Sequence, residues 1–398
     1  MFINKNFTKL LCGRLLINIG DSLYYITIMW MIFDLTGNTL YTGIAGALFM
    51  LPEVFSLFYG PIIDRANKKK ILVICSFLQV LLMFIILLIY ANDLSIYTIL
   101  LVLPFLAFLS EFTYPVEGTL IPQFVEKKDL TKANSIMSVA DNGVDLFFNA
   151  ISGILIAITS IYAILVGNIL IFILATICFF TLKIEKSTKT EEEQKEYTYL
   201  SDLKIGLKFI RKREILELII PFLILNLFLA GITVNLPAIS QESFKSASSY
   251  GLLLTASGLG SMVGGIISDF VSKRVKLGTI IIGTVVLYGS FWIIGLSLGG
   301  HFIYLFSFLA SISIGIINVI FSVLFQQLPP TNMIGRVGTA VSTLITLFMP
   351  LGSLLGGIVP QLIGSTNYVM VTAIFIIILG VSLVFIKSIR TKSYITED

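Results

Sequence analysis

Polar residues are confined to short stretches between twelve long apolar runs, at approximately 10–33, 41–63, 71–91, 95–118, 134–158, 161–183, 215–239, 249–271, 277–298, 302–325, 335–361 and 367–387. Each run reaches the roughly 20 residues needed to cross hydrocarbon as a helix. Lipid offers no water to unpaired N–H and C=O groups, so each run is predicted to be a helix that closes its own hydrogen bonds. A closed β-barrel would show segments of about ten residues with alternating polarity instead. Residues 71–90 are apolar almost without a break, so a barrel is not expected. The first run is as long as a span and is followed by no small-residue exit, so it reads as a helix rather than a cleavable leader.

One polar stretch is much longer than the rest. Residues 185–213, centred on Lys189-Thr-Glu191-Glu192-Glu193-Gln-Lys195-Glu196, divide the runs into six and six. The predicted fold is therefore an all-α integral membrane protein with 12 transmembrane helices in two pseudo-symmetric six-helix bundles. The N-terminal bundle is expected over 1–184, a cytoplasmic linker over 185–213 and the C-terminal bundle over 214–398. Two marks recur between the halves. Gly60-x-x-x-Asp64 after the second run returns as Gly265-x-x-x-Asp269 after the eighth, at an offset of 205, and Ser152-Gly153-Ile154 precedes Gly356-Gly357-Ile358 by 204. Such a near-constant offset points to a duplicated six-helix unit, an architecture that transporters use.

Composition agrees with this pattern. The chain is 56% hydrophobic and 13% charged, with a mean hydropathy of +0.96, where a soluble domain carries roughly 25% charged residues. The net charge of +4 is explained by where the charges fall. With the N-terminus inside, 26 of the 27 lysines and arginines lie on the cytoplasmic side and Lys245 alone lies outside, as the positive-inside rule requires. Both termini are expected in the cytoplasm, and no nucleic-acid partner is needed. Cys12, Cys75 and Cys178 follow neither a disulfide framework nor a metal-ligand spacing.

The charged hinge after the second run, Gly60, Asp64, Arg65, Lys68, Lys69 and Lys70, resembles the loop motif of the major facilitator superfamily. Pro61 departs from that motif, as does Asn67, which stands where a glycine is common. Within the superfamily, Gly20-Asp21-Ser22, Leu130-Thr131-Lys132-Ala133-Asn134-Ser135 and Gly335-Arg336-Val337 resemble the macrolide-efflux and enterobactin-exporter branch. The resemblance implies a major facilitator fold in a bacterial-type plasma membrane, moving small solutes by rocking two bundles about a central site. It also implies a cytoplasmic gate built from Gly60, Asp64, Arg65, Lys68, Lys69 and Lys70, with Gly265 and Asp269 as the second copy. In efflux members the loop-motif acid sits near the start of helix eleven. A carboxylate at a helix N-terminus gains about 0.3–2 kcal/mol, enough to bias a two-state equilibrium when made in one state only.

Candidate chemistry lies in the membrane. Asp21, Glu53, Glu111, Asp141 and Asp145 fall inside predicted helices of the N-terminal half. A charged side chain at the bilayer centre costs at least about 2.5–3.5 kcal/mol, so these acids are expected to face a cavity or a partner. Ser138, Asp141, Asp145, Asn149 and Ser152 share one helical face, a polar path in helix five. Asp21, Glu53, Glu111, Asp141, Asp145 and Asn149 are the candidates for binding substrate or carrying protons. Arg14 is expected to snorkel to the cytoplasmic interface. The helices of the C-terminal half offer mainly neutral groups, such as Asn226, Asn235 and Asn318. Tyr24, Tyr25, Trp30, Phe112, Tyr114, Phe147 and Phe148 are candidate contacts for an amphipathic ligand, although each alone also fits core or lipid packing.

No metalloprotease His pair, phosphate loop or serine elbow is present, so neither an enzyme nor an intrinsic ATP-driven pump is expected. No cofactor or metal is expected. The reading is a monomeric, proton-coupled efflux transporter of small amphipathic organic compounds, macrolide-type or cationic drugs. Its partners are a small-molecule substrate, protons and the lipid bilayer. Export of a polar metallophore or metabolite is the alternative within transport. A membrane receptor, scaffold or lipid-handling enzyme is the alternative from another class.

Overall fold

A computed structural model describes residues 4–55, 63, 66–92, 95–126, 129–183, 208–327, 329 and 334–390. At some helical positions, Asp141, Asp145 and Asn149 among them, only the backbone is described. The apolar runs map in order onto helices α1 (Lys5–Thr36), α2 (Thr39–Val54), α3 (Lys68–Ala91), α4 (Ile96–Phe124), α5 (Leu130–Ile158), α6 (Ile161–Phe180), α7 (Arg213–Thr233), α8 (Ala247–Ser272), α9 (Leu277–Leu298) and α10 (Phe302–Gln327). They end with α11, in consecutive pieces Ile334–Leu347, Met349–Ile358 and Pro360–Ile363, and α12 (Ser365–Ser382). Ten of these are long and apolar enough to cross a membrane among the described residues. Helix α2 is shorter, and α5, of 29 residues, is not among the ten.

Three boundaries differ from the sequence reading, each for a local reason. The seventh run breaks after Thr233 and resumes as a short helix, Leu236–Phe244, with Pro237 in its first turn, where the missing N–H costs nothing. That helix ends on Lys245 in the left-handed region, φ 51°. Prolines 350 and 360 open new pieces of α11 in the same way. Helix α4 runs on to Phe124, past the expected end at 118, and carries Pro104, Pro115 and Pro122 inside it. Its charged residue at the expected end, Glu117, is neutralised by a partner and does not stop the helix.

The chain forms two compact units, Met1–Leu35 with Leu48–Glu196, and Thr36–Ala47 with Tyr197–Asp398. In the first, α1 is the most enclosed span, while α3 and α6 are buried along a narrower strip. Ile74, Phe77, Leu78, Leu81, Phe84, Ile85 and Leu88 make an exposed apolar stripe along α3 at helical spacing, the face that hydrocarbon covers. Opposite it, α3 packs on α4 and α6. Buried Asn168 of α6 donates from Nδ2 to the Gly20 carbonyl of α1 at 2.8 Å. Caps also hold this unit. Asn67 is extended, not left-handed, and its side chain accepts from the Lys70 N–H at the start of α3. Ser160 does the same for the Ala163 N–H at the start of α6, each cap contributing about 1 kcal/mol.

In the second unit the tightest pairing is α8 with α10, followed by α9 with α10 and α12, and α7 with α11. Glycines let α8 and α10 approach to backbone contact. A Cβ at Gly264 would lie 2.1 Å from the Ile312 carbonyl oxygen, and one at Gly315 would lie 2.0 Å from that of Ser261. Lipid tails provide no hydrophobic drive between helices, so such close packing carries the association. Asn235 ties α7 to α11, donating to the carbonyls of Gly231 at 2.8 Å and Gly356 at 2.7 Å from a fully buried position. Asn235→Ala is expected to cost about 1–3 kcal/mol, since two buried carbonyls lose a donor. Thermal unfolding of the purified variant in detergent would test this, and an unchanged midpoint would refute it.

Candidate functional site

The first unit holds the charged residues that lie within its membrane helices. On α1, Arg14 and Asp21 are seven residues apart, close to two turns, and so share a face. On α4, Ser110 and Glu117 have the same spacing. The helices meet along these faces in opposite directions. Ser110 Oγ donates to Asp21 Oδ2, and Arg14 Nε lies 3.4 Å from Glu117 Oε2. From α3, Gln79 Nε2 donates to Asp21 Oδ1 at 3.4 Å. The result is a polar seam linking α1, α3 and α4.

The two ends of the seam have different solvation. Asp21 is partly buried and holds neutral donors. The Arg14 and Glu117 side chains are only 9% and 2% exposed, and the guanidinium also sits over the Tyr114 ring, 4.5 Å from its centroid. Arg14 therefore does not snorkel as expected. Its charge is matched inside the bundle, which avoids the penalty of carrying it to lipid. Glu111, on α4, is half-buried. Three of the candidate acids, Asp21, Glu53 and Glu111, thus lie in one unit. Near Asp21, Tyr24 stacks on Phe49 at 5.8 Å and Tyr25 meets the same ring edge-on at 5.1 Å.

The remaining candidates stand apart from this seam. Asp141, Asp145 and Asn149 lie on α5, but their side chains are outside the described residues. Of the hinge motif, Gly60, Asp64 and Arg65 also lie outside them. Lys68, Lys69 and Lys70 form the first turn of α3, with Lys69 Nζ 5.4 Å from the Phe180 ring centroid. In the second copy, Asp269 pairs with Lys273 at 2.8 Å on an exposed surface of α8, an arrangement that contributes at most about 1 kcal/mol. Gly265 has only Val319 Cγ2 in reach of an added Cβ, at 3.8 Å; the glycine that packing demands is its neighbour Gly264. Among the described residues no group of three or more His, Cys, Asp and Glu is placed to hold a metal.

Three contributors escaped the sequence reading: Glu117, Ser110 and Gln79. Glu117 sat at the edge of its predicted run. Gln79 left a signal, since it is the one strongly polar residue in residues 71–90, and in lipid such a residue is expected to find a partner. Asn226 and Asn235 of the second unit are spent on backbone carbonyls.

Comparison with known proteins agrees with this architecture. Residues 10–353 match the model of the Major Facilitator Superfamily. An uncharacterized MFS-type transporter of Bacillus subtilis, YfiS, is 24% identical over 98% of this chain and 95% of its own length. Macrolide efflux protein A of Streptococcus pyogenes is 20% identical over 96% of both. Among solved structures, the nucleoside transporter NupG superposes with a TM-score of 0.78 at 12% identity, covering 96% of this chain and 99% of that one. A bacterial homolog of the human lysosomal transporter Spinster gives 0.73 at 13% identity, over 97% and 96%.

Proposed function

The chain belongs to the Major Facilitator Superfamily and is a secondary transporter, and from that premise we propose that it exports small amphipathic organic compounds, cationic ones above all, in exchange for protons. The observation that carries this reading is the seam between α1, α3 and α4. It pairs Arg14 with Glu117 and leaves Asp21 among neutral donors, in a unit that also holds the half-buried Glu53 and Glu111, so acids outnumber the paired arginine. A cation or a proton relieves that imbalance. The aromatic group of Tyr24, Tyr25 and Phe49 beside Asp21 suits the apolar part of such a compound. The macrolide efflux relative supports the outward direction. Asp141, Asp145 and Asn149 extend the proposed path along α5. The loop from Gly60 to Lys70 is the proposed cytoplasmic gate, with both termini on that side.

Flux in proteoliposomes under an imposed pH gradient, with a panel of lipophilic cations and macrolides, is the test. Gradient-dependent movement of at least one compound is expected, and none across the panel would remove the exchange reading. Asp21→Asn keeps an acceptor for Ser110 but loses the charge. It is expected to slow gradient-driven flux by about tenfold or more, the factor that 1.4 kcal/mol represents. Full activity in that variant would remove Asp21 from the proposed site.

A further inference from the structure

After α12 the chain makes a short 3-10 turn, Leu383–Phe385, and then a single helical turn, Lys387–Arg390, that straps across the starts of α7 and α9. Three contacts fix the strap. Ile389 is buried, at 1% exposure. Ser388 Oγ donates to Glu217 Oε2 of α7 at 2.6 Å. At the start of α9, Gly278 leaves room for the strap's backbone: an added Cβ would strike the Ile389 carbonyl and lie 3.1 Å from the Arg390 carbonyl oxygen.

The strap also gathers charge. Three membrane-crossing segments of this unit begin at Ile215, begin at Leu277 and end at Phe385. Arg213, Lys276 and Lys387 stand one or two residues outside those limits, at one depth. Docking of the strap brings Lys387 and Arg390 to the ends of α7 and α9, where Arg213 and Lys276 already are. All four side chains are exposed, that of Arg213 at 91%. Glu217 pairs with Arg213 at 2.9 Å and so offsets one of these charges. Just inside the cations lies an apolar surface, Val384 and Phe385, the ring of Phe385 being 85% exposed. Topology alone requires only that lysines and arginines lie on one side of the membrane. It does not require a buried isoleucine, a hydroxyl bonded to a carboxylate and a glycine to draw them to one corner.

We propose that this corner binds the headgroup of an anionic phospholipid, with Arg213, Lys276, Lys387 and Arg390 around the phosphate and the acyl chains lying against Phe385. The order of apolar surface and then cations matches the order of acyl chain and then phosphate in such a lipid. Arginine suits the role because its planar fork meets phosphate oxygens two at a time. The strap completes the site, since without its docking two of the four cations leave the corner.

The test is equilibrium binding of phosphatidylglycerol and of phosphatidylcholine to the purified full-length protein in detergent. The wild type is expected to prefer phosphatidylglycerol. Each cation near an anionic lipid contributes a factor of about five, so R213Q/K276Q/R390Q is expected to weaken phosphatidylglycerol binding by about tenfold or more. K5Q/K70Q/K132Q removes the same charge from the starts of α1, α3 and α5 and is expected to stay within about threefold of wild type. Ile389→Gln removes no cation but releases the strap, and a loss of about fivefold or more is expected. No preference in the wild type, equal losses in the two triple variants, or wild-type affinity in I389Q would each overturn the proposal. So would displacement of the lipid by an equal concentration of inorganic phosphate, which would make the corner a site for free anions instead.

Discussion

Gly315→Ala is expected to lower the stability of the second unit by about 3 kcal/mol, and Gly315→Leu to prevent that unit from folding. The added Cβ meets the Ser261 carbonyl oxygen at 2.0 Å, the Ser261 carbonyl carbon at 2.7 Å and the Gly265 nitrogen at 2.9 Å. All three are backbone atoms of α8, so no side chain can rotate away. Relief requires α8 and α10 to separate, and separation also undoes the reciprocal contact of Gly264 with Ile312. Gly265→Ala is the matched control. Its nearest neighbour is 3.8 Å away, and alanine is the better helix former by about 1 kcal/mol, so no loss is expected there. Thermal unfolding in detergent separates the cases. Equal midpoints for G315A and G265A would show that the close approach is not what holds these helices.

Arg14→Leu is expected to cost about 3–5 kcal/mol, because it strands Glu117 as a buried carboxylate without its cation. The side chain of Glu117 is 2% exposed, so water cannot replace the arginine without opening the bundle. R14L/E117L is expected to recover most of the loss, since apolar pairs of similar volume tolerate such positions well. Unfolding midpoints of the single and double variants decide the matter. A stable R14L, or a double variant less stable than R14L, would mean that the pair is not closed off as its burial indicates.

The helices were legible because lipid asks one simple thing of a sequence, a run of apolar residues long enough to cross it. Their order followed from that demand, while the expected linker at 185–213 lies largely outside the described residues. Partnerships were not legible. Arg14 reads as a snorkelling residue when α1 is considered alone, and only the opposing helix shows that its charge is matched. Glu117 looked like the end of a run for the same reason. Its charge counts against a membrane position until Arg14 cancels it. Gln79 interrupted an apolar run and pointed to a partner without naming Asp21. The duplicated Gly60 and Gly265 were visible as letters, but the steric demand falls on Gly264, which only the approach of α10 can reveal. The candidate site was thus half visible: Asp21, Glu53 and Glu111 were, and Glu117 with the neutral groups around Asp21 was not.

Pro115 lies on α4 between Glu111 and Glu117. Proline has no N–H, so the carbonyl four residues earlier loses its helical bond, and that carbonyl belongs to Glu111. At membrane depth such an oxygen is served by neighbouring groups or by water. The seam therefore offers a main-chain dipole beside its carboxylates. Protonation can silence every acid in the group, but it leaves this oxygen as an acceptor at any pH.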